Sequence, residues 1–147
     1  MDIAHWEIAI RLAGSFLLGV LIGYERERRH KPAGLRTHAL VCLGAAFFTY
    51  ISIYGFPRVE VTPGMGDPAR VAAQIVTGVG FIGGGIIFKD RDRIRGITTA
   101  ASIWLAAAIG MGMGTGLYVP TILAAGIALA GLRLDRILRR LDHDDGD

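Results

Sequence analysis

Residues 23–48, GYERERRHKPAGLRTHALVCLGAAFF, decide the fold class. Seven charged side chains lie between Glu25 and Arg36, and none lies between Ala39 and Phe48. A water-soluble element alternates polar and apolar positions with the period of its helix or strand. A basic knot abutting a long uncharged run fits a loop at a membrane surface that feeds a helix into the bilayer.

The same segregation runs through all 147 residues, a length that suits one domain. Hydrophobic residues make up 52%, charged residues 20%, and mean hydropathy is +0.44. The charges gather in short runs, which excludes a globule with a mixed surface. The 21 glycines suit close helix approach in a membrane. Cys42 stands alone, so no internal disulfide can form. A cleavable leader is not expected, because Asp2 and Glu7 stand where a basic segment would be.

Five apolar segments stand out as spans: 5–23, 37–54, 69–88, 98–114 and 117–132. The last two are short for spans. A single helix over 98–132 would be about 52 Å long, against a hydrocarbon core of about 30 Å. The glycine-rich GMGMGTG in its middle is read as a turn between two helices. The expected fold is therefore an all-α membrane protein of about five transmembrane helices, over 1–134, with a short cytoplasmic tail, 135–147, continuing as a basic amphipathic turn.

Basic residues set the orientation. Thirteen of the 16 Lys and Arg lie in the loops after spans one and three and after span five, on one side of a five-span chain. Arg58 and Arg70 lie on the other, and Arg11 inside span one. The positive-inside rule then places the N-terminus outside and the C-terminus in the cytoplasm. Trp6, Tyr54, Phe56 and Tyr118 fall near the outer interface.

GLRTHALVCLGAA from Gly34 aligns without a gap on GITTAASIWLAAA from Gly96, each after an acid-base run, ERERR and KDRDR. This suggests a parallel internal repeat, helices 1–2 recurring as 3–4.

Two polar clusters are the candidate sites. On the cytoplasmic side Glu25, Arg26, Arg36 and Lys89 gather near Thr37, His38, Thr98 and Thr99, which start the following helices. Topology and capping explain most of these arginines. Glu25 and Glu27, at a helix end where the dipole disfavours anions, need partners, which Arg36 or Arg95 could supply. Free N–H groups at Thr37 and Thr98 would favour an anion. On the outer side, Asp67 caps a helix started by Pro68, and Arg70 and Gln74 lie four residues apart. Glu7 and Arg11 have the same spacing on span one. If spans one and three pack together, Glu7, Arg11, Asp67, Arg70 and Gln74 form one outward-facing cluster. The bland alternative is capping together with snorkelling of Arg11.

GVGFIGGGIIF contains a G-x-G-x-x-G, but no strand-turn-helix surrounds it, so the dinucleotide reading fails. Helix packing is the reading for Gly78, Gly80, Gly83 and Gly84, and for Gly19 and Gly23. His38 and Cys42, one turn apart, make no metal site by themselves. No cofactor, nucleic acid or enzymatic reaction is implied.

GYERERRHKPAGLRTHALVCLGAA, DPARVAAQIVTGVGFIGGGIIFK and RGITTAASIWLAAAIG resemble the MgtC/SapB family of bacterial inner-membrane proteins, over residues 14–132. The resemblance implies a multi-pass protein of the inner membrane, linked to growth under magnesium limitation and, in pathogens, to survival in macrophages. It implies a regulator acting through membrane partners, such as the proton-driven ATP synthase restrained by the family's best-known member. It places signature residues at Glu25, Arg26, Arg36, Thr37, His38, Asp67, Arg70, Gln74, Lys89, Gly96, Thr98, Thr99 and Trp104. A soluble C-terminal domain of that member has no counterpart here, so the chain reads as a short member or a shortened one. A homo-oligomer is expected. The rival class is a transporter or channel for an ion, anion or metabolite; a magnesium path would want carboxylates in mid-bilayer, and the sequence offers none there.

Overall fold

A computed structural model describes residues 4–55, 67–91 and 93–144, with side chains for all of these except Pro68 and 135–144. Five helices make up most of it: α1 (His5–Arg28), α2 (Leu35–Tyr50), α3 (Pro68–Gly84), α4 (Ile97–Thr115) and α5 (Tyr118–Asp144). A π-helical turn, Ile51–Gly55, extends α2. A hairpin of β1 (Phe88–Asp90) and β2 (Arg93–Arg95) joins α3 to α4, with Phe88 opposite Arg95 and Asp90 opposite Arg93. Three helical stretches are long and apolar enough to cross a membrane: His5–Arg28, Leu35–Gly55 and Ile97–Thr115. Ala69–Gly84 and Tyr118–Leu134 are apolar but shorter. Phe56 and Arg58 lie outside the described residues.

The core is the trio α1, α2 and α4, with α3 packed on α4 and less on α2, and α5 on α4 and α1. One stripe of α1 faces inward: Arg11, Ser15, Gly19, Ile22 and Arg26, at helical spacing and all buried. Small residues let the backbones meet. A Cβ on Gly19 would lie 2.7 Å from the His38 carbonyl oxygen, and one on Gly23 2.6 Å from Leu35 Cα. A Cβ on Gly114 would stand 2.5 Å from the Ala46 oxygen, and one on Gly110 would overlap the Cys42 carbonyl. Lipid is as apolar as the helices, so close packing of this kind, not water exclusion, drives association.

Several boundaries differ from the sequence reading. α1 runs on through Arg28, past the span end placed at 23, with Glu25 and Glu27 in its last turn as expected. The glycine repeat is not a turn: Gly110, Gly112 and Gly114 lie inside α4, where neighbouring helices need their small size, and the chain reverses only at Gly116. There φ is +83°, and the Arg11 guanidinium lies 2.9 Å from where a Cβ would be. α3 stops at Gly84, and Phe88 belongs to the hairpin. At the end of that hairpin Gly96 takes φ +92° against the Ile86 carbonyl. The aligned runs thus differ locally: ERERR ends a helix, whereas Lys89–Arg93 turns a hairpin. The boundary placed after 134 falls inside α5, which continues to Asp144.

Of the glycines expected to pack helices, Gly19 and Gly23 do so, and Gly83 touches Ala100 at ordinary contact distance. Gly78, Gly80 and Gly84 meet nothing within 4 Å. They face outward, and an open groove of about 550 Å³ runs between α2 and α3 beside Gly44 and Gly78.

Candidate functional site

The short connections at 29–34 and 88–96 bring the C-terminal end of α1, the starts of α2 and α4 and the hairpin to one end of the bundle, called here the basic end. Glu25, 6% exposed, lies there with Arg26, 2% exposed. Its carboxylate pairs with the Arg29 guanidinium and lies 3.7 Å from Arg26 Nη1. Two cations answer one anion, which offsets the unfavourable dipole at the helix end and leaves a net positive charge. The partners are Arg26 and Arg29, not Arg36 or Arg95. Arg36 is exposed, and Arg95 pairs with Asp90 at 3.1 Å on the exposed hairpin. A residue one turn along the same helix needs no loop to deliver it, so Arg29 wins. Arg26 Nε and Nη2 have no hydrogen-bond acceptor among the described residues.

Glu27 has a different task. Its Oε2 accepts from Leu35 N at 2.8 Å, so it caps α2 from eight residues upstream. The anion favoured at that helix start is supplied by the chain itself. The start of α4, by contrast, has Gly96 as its cap and no side-chain bond.

His38 is fully buried where α2 crosses α4. Its Nδ1 faces the Gly34 carbonyl at 2.9 Å, so Nδ1 carries a proton. Nε2 lies 2.9 Å from Ser102 Oγ, which also reaches the Thr99 carbonyl at 2.8 Å. Cys42 is buried one turn away, under Gly110. Thr99 is buried, Thr37 half-buried, and Thr98 and Lys89 are exposed. The predicted basic-end cluster therefore divides. Glu25, Arg26, His38 and Thr99 are internal; Arg36, Lys89, Thr98 and the half-exposed Trp104 point outward. Asp92 lies outside the described residues.

At the opposite end Arg11, 6% exposed, ties three segments together. Nη2 meets Glu7 Oε1 at 2.6 Å, Nη1 donates to the Gly114 carbonyl at 2.9 Å, and Tyr54 lies 3.4 Å away at its hydroxyl and under the guanidinium at 5.6 Å. Arg11 thus caps the end of α4 and fixes the π-helical turn, rather than snorkelling. The other three members of the outer cluster are elsewhere, because α3 packs on α4 and α2, not on α1. Asp67 caps α3 through Ala69 N at 2.8 Å, and Arg70 and Gln74 are exposed. Sequence reasoning missed Arg29, Ser102 and Tyr54. The α1 stripe of 11, 15, 19, 22 and 26 signals that Arg11 and Arg26 face inward; no sequence signal joins His38 to Ser102. Among the described residues no three His, Cys, Asp or Glu side chains gather as a metal-ion site.

A model of the MgtC family matches residues 12–141. The chain belongs to the MgtC family. Protein MgtC of Brucella abortus is 53% identical over 106 residues, 72% of this chain and 42% of that protein. An Escherichia coli K12 protein named "Putative magnesium transporter YhiD" is 51% identical over 113 residues, 76% of this chain and 53% of that one. An uncharacterized protein of Synechocystis is 40% identical over 138 residues, 93% of this chain and 56% of its own. This MgtC-family chain spans about half the length of the curated relatives it matches. No solved structure matches it.

Proposed function

We propose that this MgtC-family protein is a non-enzymatic regulator of adaptation to magnesium limitation, acting in the bacterial inner membrane through contacts with membrane-protein partners. Its five helices cross the bilayer with the basic end in the cytoplasm. The observation that carries the reading is the division of the family's signature positions. The side chains of Arg36, Lys89, Thr98 and Trp104 are turned outward without hydrogen bonds or ion pairs among the described residues, which suits recognition of another protein. The interior offers little to a hydrated ion. Between the Arg11 and Glu25 groups, the inward residues of α1, α2 and α4 include Ser15, Gly19, Ile22, Cys42 and Ile103, packed with backbones in contact, while the buried His38, Ser102 and Thr49 are bonded within the protein. Mg²⁺ sheds water reluctantly and takes carboxylate ligands.

The test is growth at limiting magnesium in a strain that depends on this protein. Arg36→Ala and Trp104→Ala should impair growth while protein abundance and detergent melting stay at the wild-type level. Wild-type growth of the double variant would sink the reading. The second reading is transport, favoured by the name of the Escherichia coli relative.

A further inference from the structure

The outward face of α3 carries three features that fit together. Gln74 is exposed about 9 Å along the helix from Pro68, below Arg70, and its side-chain amide makes no hydrogen bond among the described residues. Gly78 stands one turn on, with open space around it and around Gly44 across the groove. Phe81, two turns from Gln74 on the same stripe, is 87% exposed. The groove beside them has Ile75 and Val79 at its base and Leu40, Phe48 and Ile82 along its sides.

We infer that this face is the contact between two copies of the chain, paired side by side about a twofold axis along the membrane normal. Copies inserted in the same orientation hold Gln74 at the same depth, so the symmetry itself sets amide against amide. An amide has both donors and an acceptor, and so it complements its own copy. A lipid chain fills the groove but leaves that amide unpaired, which is costly in hydrocarbon. Gly78 removes the side chain that would keep the helices apart. Phe81 supplies a ridge to enter the partner's groove beside its own, in the open space left by Gly44 and Gly78. The exposed face of α5 between Val119 and Ala130, with Ile127 at 73% and Leu123 at 61%, carries no polar side chain to set against its own copy.

Cysteine cross-linking in native membranes tests this. Cys42 is fully buried, so the wild-type chain is the unreactive control. A Cβ at Gly78 meets nothing within the chain, so Gly78→Cys should fold normally. On mild oxidation, most of the Gly78→Cys chain should run at twice the monomer mass, while Ile127→Cys stays monomeric. Gln74→Leu added to Gly78→Cys should lower the cross-linked fraction, through a dimerisation constant weakened about fivefold, and Gln74→Asn should restore part of it. Three outcomes overturn the inference. They are no dimer from Gly78→Cys, equal cross-linking at Ile127→Cys, which would mark random collision, or a product whose mass is not twice that of the chain, which would mark a different protein.

Discussion

Glu25 is held among cations that it also holds. Arg26 is buried, and with Glu25 gone it would remain so with no anion beside it. Removing one member of a buried pair costs about 3–5 kcal/mol. Glu25→Ala should therefore lower the melting temperature in detergent clearly, and Glu25→Ala with Arg26→Met should recover part of the loss. Equal melting of wild type and Glu25→Ala would show that the carboxylate is dispensable to the fold. Arg11 is the matching residue at the other end. Arg11→Ala leaves the Gly114 carbonyl without its donor and frees Tyr54. It should destabilise by about 3 kcal/mol, whereas Arg70→Ala, on an exposed side chain, should change melting little.

At the scale of elements, glycine has two meanings that composition does not separate. Gly110 sits against the Cys42 backbone, and Gly110→Leu should abolish a monodisperse peak on gel filtration. Gly80 faces open space, and Gly80→Leu should leave that peak intact. Collapse of both, or of neither, would contradict the packing described. The five apolar helices were legible because charge runs punctuate them. Which face of each helix turns inward was less so, since lipid and core are both apolar and leave no amphipathic contrast. The exception is α1, where Ser15, Gly19 and the arginines at 11 and 26 mark one stripe. α1 continues past its apolar span into the charged run, as expected of Glu and Arg, which are good helix formers. The similar run at 89–93 turns a hairpin, with the tight turn at Arg91, φ +52°. Of the sites, Asp67 as a cap and the Glu7–Arg11 pair were readable from spacing. The separation of Arg70 and Gln74 from Arg11 was not, because it depends on which helices neighbour each other.

For the whole molecule, α1 begins near the Arg11 end, and α5, which leaves α4 at the Gly116 turn there, runs back toward the basic end. With the basic end in the cytoplasm, a fluorescent protein fused after Asp147 should fluoresce, and a cysteine placed before His5 should react with an impermeant reagent on intact spheroplasts. The reverse pattern would contradict the orientation. The proposed role is one of contact, without conduction of magnesium. Its most direct test is magnesium flux into liposomes that carry the purified full chain and an entrapped magnesium-sensitive dye. The account predicts uptake no faster than in empty liposomes. Saturable uptake, lost in Glu25→Gln while the variant still reconstitutes as a folded protein, would contradict it.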